Sequence, residues 1–145
     1  MPQRAAIRMT PEEESDYIEG EAKLVLVSNG PDGLPHPMPM FFTRTPSGSI
    51  LISTYATSQK TRNIERDPRV ALLFESGTDY DELKGIVLYG RAKIVRDPDR
   101  VFEFMTRSEE VLDDAATEPY RQAATKRVLL EIKVDRSISW DHGKL

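Results

Sequence analysis

"STYATSQKTRNIERDPRVALLF", residues 53–74, passes from a strand, through a run of small hydroxyl residues, into a basic and amide-rich helix, and then into a second strand. Thr57 and Ser58 carry the hydroxyls that cap helix starts. Pro68 pushes Asp67 out of the α region, so the helix must end there. A helix presents unpaired N–H groups and about half a positive charge at its first turn. Lys60 therefore stands against its own helix dipole. Asn63 lies three residues on and Arg62 is close by, which puts a polar group on the face of Lys60. Two readings of these residues stand side by side. One is a capped, solvent-facing helix that merely stays wet; the other is a cradle in which an anion, most commonly a phosphate, sits between lysine and helix start.

Working outward, Thr10, Pro11 and Glu13 form a capping box, predicting a helix to about Glu19 with Gly20 as its stop. "KLVLVSN" (23–29) reads as a strand and "GPDG" (30–33) as its turn. "LPHPMPMFFTRT" (34–45) is a strand with prolines at 35, 37 and 39, whose missing N–H groups all face one side; it is expected at a sheet edge. "PSG" (46–48) turns the chain into "SILISTY" (49–55). Beyond the opening stretch, strands are expected at 69–76 and 85–95, joined by the polar loop 77–84. A second Asp-Pro, Asp97-Pro98, follows a strand and so starts a helix. That helix is expected to run to about Asp113 on Val101, Phe102, Met105, Val111 and Leu112. Residues 113–126 read as a loop plus a short helix, 127–134 as a strand, and 137–140 as a last, separate extended piece. The sum is one α+β domain: six or seven mostly antiparallel strands closing into a barrel or sandwich, with about three peripheral helices.

Composition narrows the chemistry. The chain has 145 residues, a formal charge of −4, a hydrophobic fraction of 39% and no cysteine. Thiolate catalysis, disulfides, zinc ribbons and iron–sulfur clusters are thereby excluded, and His36 and His142 are the only imidazoles, so no metal site is expected. The acidic balance argues against a nucleic-acid partner, and the absence of a long apolar run argues against a membrane span. A cytoplasmic location is the corresponding expectation. No G-x-S-x-G elbow and no Walker loop appears. His36, between two prolines, reads as an exposed turn-side residue; His142 is a weaker candidate for substrate contact. "DELK" (81–84) reads as a solvated loop that could line a pocket, and the acidic run 10–21 as a solvated helix face.

The order of "GPDGLPHPMPMFF", "STYATSQKTRNIERDPRVALLF", "GIVLYGRAKIV" and the Asp-Pro helix resembles the pyridoxamine 5'-phosphate oxidase-like superfamily, the split β-barrel flavin and deazaflavin reductases. The resemblance implies a split barrel, FMN or the deazaflavin coenzyme F420 as cofactor, hydride transfer to a small organic acceptor, and a homodimer whose cofactors touch both chains. Carried over position by position, it implies that Ser58, Gln59 and Lys60 hold the cofactor phosphate beside Asn63. It further implies that Met38, Met40, Ser53, Thr54 and Tyr55 flank the ring and ribityl chain, and that Trp140 reaches the cofactor of the partner subunit. Without the resemblance, Trp140 reads as a partly buried aromatic anchor. Two departures narrow the expectation. Gln59 stands where FMN oxidases of this kind commonly carry arginine, which removes a bidentate phosphate contact and leaves F420 open. Only "DHGKL" follows Trp140, without the further basic segment of pyridoxamine 5'-phosphate oxidase itself, so that activity is not expected. No catalytic residue is assigned, and the substrate proton is expected from water or from Tyr55. A flavin- or haem-binding module without catalysis is the alternative.

Overall fold

A computed structural model of the chain describes residues 2–107 and 113–145. Its elements, in order, are α1 (Pro2–Ile7), α2 (Pro11–Glu19), β1 (Lys23–Asn29), β2 (Pro35–Phe41), β3 (Thr43–Arg44), β4 (Ile50–Tyr55), α3 (Gln59–Arg66), β5 (Arg69–Ser76), β6 (Lys84–Val95), α4 (Pro98–Met105), α5 (Asp114–Ala124) and β7 (Arg127–Asp141). Single 3₁₀ turns lie at Tyr80–Glu82 and His142–Lys144. The seven strands form one sheet in the order β2-β1-β5-β6-β7-β4-β3, with every pairing antiparallel. β2 and β3 occupy opposite ends of that order although only Phe42 separates them. The chain thus turns a corner at Phe42 and carries one edge of the curled sheet to the other. This is the expected α+β split barrel.

Alternation builds the interior. Leu24 and Leu26 of β1, Val70, Leu72 and Phe74 of β5, Ile86 and Leu88 of β6, Ile50 and Ile52 of β4, and Val128, Leu130 and Ile132 of β7 all point into one core. Phe42 closes it edge-on against Phe74, with ring centroids 5.2 Å apart. Each of these fully buried side chains contributes about 1.5–3 kcal/mol by leaving water. On the outer face of β4 and β7, α4 and α5 cover a second cluster of Val101, Phe104, Ala124 and Leu129.

The capping box at Thr10 and Glu13 is present in both directions, and Gly20 caps α2 in ordinary right-handed geometry. β2 is an edge strand, as its prolines require. Asp67 ends α3 and Asp97 begins α4 with its carboxylate on the amide of Asp99. Four expectations need correction. Residues 2–7 form α1, which no capping signal announces. Residues 114–124 form one helix straight through Pro119, where a loop plus a short helix was expected; Arg121 stacked 4.2 Å over Phe102 and the buried Ala124 hold it on α4. α4 stops at Met105, capped by Thr106, and the remaining anchors Val111 and Leu112 lie outside the described residues. Segments 127–134 and 137–140 are one strand, interrupted by a β-bulge at Asp135, since Gly90 pairs with Val134 but Tyr89 with Arg136. The extra residue inverts the alternation. Before it the even-numbered side chains of β7 face the core; after it Ser137 and Ser139 do, and Ile138 and Trp140 face outward. No helix among the described residues is long and apolar enough to cross a membrane.

Candidate functional site

The junction of β4 and α3 is fixed from both sides. Thr54 sits on the core face of β4 and donates its hydroxyl to Ser58 Oγ at 3.2 Å. Ser58 accepts the Thr61 amide at 3.3 Å, and Thr61 Oγ1 returns to the Tyr55 carbonyl at 2.9 Å. At the other end Ile64 is in the core, and Asn63 Nδ2 donates to Ser28 Oγ on β1 at 3.0 Å. These bonds hold the start of α3 rigidly at the sheet edge. They leave the first-turn amides of Gln59 and Lys60 without an intrahelical acceptor.

The side chains divide into two groups. Asn63 is completely buried, and its amide is spent on Ser28, on Gln59 Nε2 at 2.7 Å and on Arg66. It is therefore a structural tie, not the cradle residue beside Lys60 expected from its helical spacing. Gln59 commits its amide nitrogen to the same network, and Thr54 turns inward because alternation sends only its neighbours out. Ser53 and Tyr55 face outward. Ser53 and Met40 line a cleft of about 320 Å³ together with Pro39, Phe41, Phe104, Met105, Arg107 and Arg127. Tyr55 is exposed, with the guanidinium of Arg127 4.3 Å above its ring. Met38 is two residues from Met40 on the same side of β2, paired with Leu26 and partly exposed.

The electrostatics of this corner are one-sided. Burial pulls the Lys60 ammonium below its usual pKa, and repulsion from Arg127 adds to it. Burial likewise lowers Arg107, whose guanidinium donates to the Phe104 carbonyl at 2.6 Å. Among the described residues, none of these three cations has a carboxylate within 4.0 Å. Ser53 Oγ is buried without any hydrogen-bond partner. A buried hydroxyl left unpaired costs about 1–3 kcal/mol unless something satisfies it. Orphan hydroxyl and uncompensated cations alike are what an anionic, hydrogen-bonding ligand would complete. Arg107 and Arg127 were missed in the sequence because they lie far from 58–63 along the chain; only pairing of Tyr55 with Arg127 brings the latter in.

Trp140 is not part of this corner. It lies at the opposite end of β7 from Arg127, its indole packed on Gly85, where a Cβ would come within 2.4 Å of the ring. His36 is on the edge strand β2. His142 Nδ1 is 2.8 Å from the Tyr80 carbonyl, near Trp140.

Comparison with known proteins is consistent over nearly the whole chain. Residues 10–141 match the family model described as pyridoxamine 5'-phosphate oxidase. The crystal structure of a conserved hypothetical protein, Rv2991 from Mycobacterium tuberculosis, is similar at 36% identity with a TM-score of 0.84, over 98% of this chain and 91% of that one. Two more distant structures share the fold. One is an F420 reductase at 22% identity and TM-score 0.66, over 88% and 98% of the respective chains. The other is HutZ, a haem storage protein from Vibrio cholerae, at 13% and 0.69, over 90% and 96%. No curated protein matches.

Proposed function

Because the chain belongs to the pyridoxamine 5'-phosphate oxidase family, we propose that it is an oxidoreductase that binds FMN, or the deazaflavin F420, at the β4–α3 junction and serves hydride transfer to a small organic acceptor. The observation that carries this reading is the half-buried Lys60 beside Arg127, with no carboxylate of the described residues within 4.0 Å of either. The residues fit an anionic cofactor: Lys60, Arg127 and the first-turn amides of α3 would hold its phosphate, and the unpaired Ser53 hydroxyl, with Met40, would meet its polar chain or ring. When bound, the ring supplies the hydride chemistry. The protein's part is positioning. Thr54, Ser58 and Thr61 fix the helix start, Asn63 ties it to β1, and Met40, Phe41 and Met105 shield one side from water. The distant F420 reductase relative keeps the deazaflavin open, and Gln59, held by Asn63, offers no second guanidinium to a phosphate.

The reading includes a homodimer. Pro39, Val25, Leu73 and Val87 lie in one register row across four strands on the outer face. The proposal gives Trp140 of the partner subunit the place beside the cofactor, which Trp140 of the same chain, packed on Gly85, does not take.

Titration of the purified protein with FMN, F420 and haemin, followed by absorbance and by fluorescence, tests the reading. Saturable binding of FMN or F420 is expected, and Lys60→Ala should weaken it by about 1.5–3 kcal/mol, the range for a hydrogen bond to a charged group, with unchanged folding. Equal affinity in the variant would move the anion site elsewhere. A Soret band with no flavin binding would favour the haem-carrying alternative.

A further inference from the structure

A cavity of about 650 Å³ lies apart from the β4–α3 junction, between α1 and the C-terminal half of β7. Arg4, Ile7 and Arg8 form one wall; Ile138, Trp140 and His142 form another. Its walls are held in place. The Met9 amide donates to Ser139 Oγ at 3.1 Å, and Lys144 Nζ donates to the Arg8 carbonyl at 3.1 Å. Gly85 lets the Trp140 indole lie flat against the backbone of β6.

Charge in this cavity is not balanced locally. Among the described residues neither Arg4 nor Arg8 has a carboxylate within 4.0 Å. The acidic groups nearby are engaged: Glu13 with Lys144 at 2.6 Å and with the Thr10 amide, and Glu14 with the Ser137 hydroxyl. His142 adds a defined polar group. The Tyr80 carbonyl can only accept, so Nδ1 carries hydrogen, and in the neutral ring Nε2 is left as an acceptor. The cavity therefore combines two free guanidinium groups, an orientated imidazole, and apolar walls of isoleucine and tryptophan.

We infer that this cavity binds a small amphiphilic anion, a carboxylate or phosphate monoester with an apolar body, the anionic head on Arg4 and Arg8 and the body against Ile7, Ile138 and Trp140. Guanidinium forks suit planar carboxylates and phosphates, and the aromatic wall suits an apolar tail. The anion site stands by itself. Its identification as the pocket of the hydride acceptor rests on the cofactor reading above, in which Trp140 meets a cofactor across the dimer.

Trp140 is the only tryptophan, so intrinsic fluorescence reports on this cavity without any cofactor. The full-length apo-protein is titrated with hexanoate, hexyl phosphate and the neutral hexanamide. A saturable fluorescence change with either anion is expected, at least about ten-fold tighter than with hexanamide, and lost by about the same factor in Arg4→Gln/Arg8→Gln. Circular dichroism and FMN or F420 affinity should be unchanged in that variant, whose substitutions remove no hydrogen bond of the fold. Equal binding of hexanamide, or full binding by the double variant, overturns the inference. So does competition between hexanoate and FMN or F420, which would assign the two arginines to the cofactor. Failure of the cofactor titration with success here would leave an anion-binding protein without the proposed hydride chemistry.

Discussion

At Ser53 a single hydroxyl separates what stabilises the fold from what serves the site. Its Oγ is buried and unpartnered, so Ser53→Ala should raise the thermal midpoint of the apo-protein, by the equivalent of about 1 kcal/mol or more, while weakening cofactor binding. A paired melt and titration checks both signs; a variant less stable than the parent would show that the hydroxyl is satisfied in solution. Glu13 gives the opposite case. Lys144 first, then the Thr10 amide, hold its carboxyl well below its ordinary 4.5, at about 2. A depressed carboxylate stabilises the fold fully above its unfolded-state value and loses that contribution as pH falls through the folded one. Thermal midpoints should therefore decline between roughly pH 4.5 and pH 2, and less steeply in Glu13→Gln than in the parent.

Among the elements, β7 shows how one residue redirects a surface. Deleting Asp135 would remove the bulge and restore continuous alternation, turning Trp140 and Ile138 toward the core and Ser137 and Ser139 out. The expected result is loss of cooperative folding, read by calorimetry; a variant that melts as the parent does would show that the bulge can move along the strand. This inversion was not legible in the sequence, because a bulge leaves no signature in "KVDRSIS" and the interruption reads as a strand end. The strands themselves were legible where aliphatic runs met glycine or proline turns, and so were α2, α3 and α4, each marked by a cap or an Asp-Pro. α5 was legible only as a short helix beside a loop, since Pro119 is a local breaker and packing on α4 overrides it. In the site, Ser58 and Lys60 could be read from one helix start. The inward turn of Asn63 and the arrival of Arg127 and Arg107 depend on pairing and packing between segments distant in sequence.

For the molecule as a whole, the proposed dimer would form on the outer row from Pro39 to Val87. Leu73 stands at its centre, between Val25 and Val87. Leu73→Glu should shift sedimentation from dimer to monomer with the far-ultraviolet spectrum retained, and should weaken cofactor binding if both chains contribute to the site. Monomeric behaviour of the parent protein would remove the dimer from the proposal.

The strand order also bears on the way the chain emerges during synthesis. β4 pairs with β3 on one side and with β7 on the other, and β7 follows the other six strands in chain order. Until residues 127–132 have left the ribosome, Ile50 and Ile52 have no central strand to pair with. Such late, long-range pairing slows folding and leaves an unpaired edge open to other chains. The proline-studded β2 blunts one edge of the nascent sheet, so it is β4, carrying the corner of Ser53 and Tyr55, and β6 that stay vulnerable to aggregation until β7 arrives.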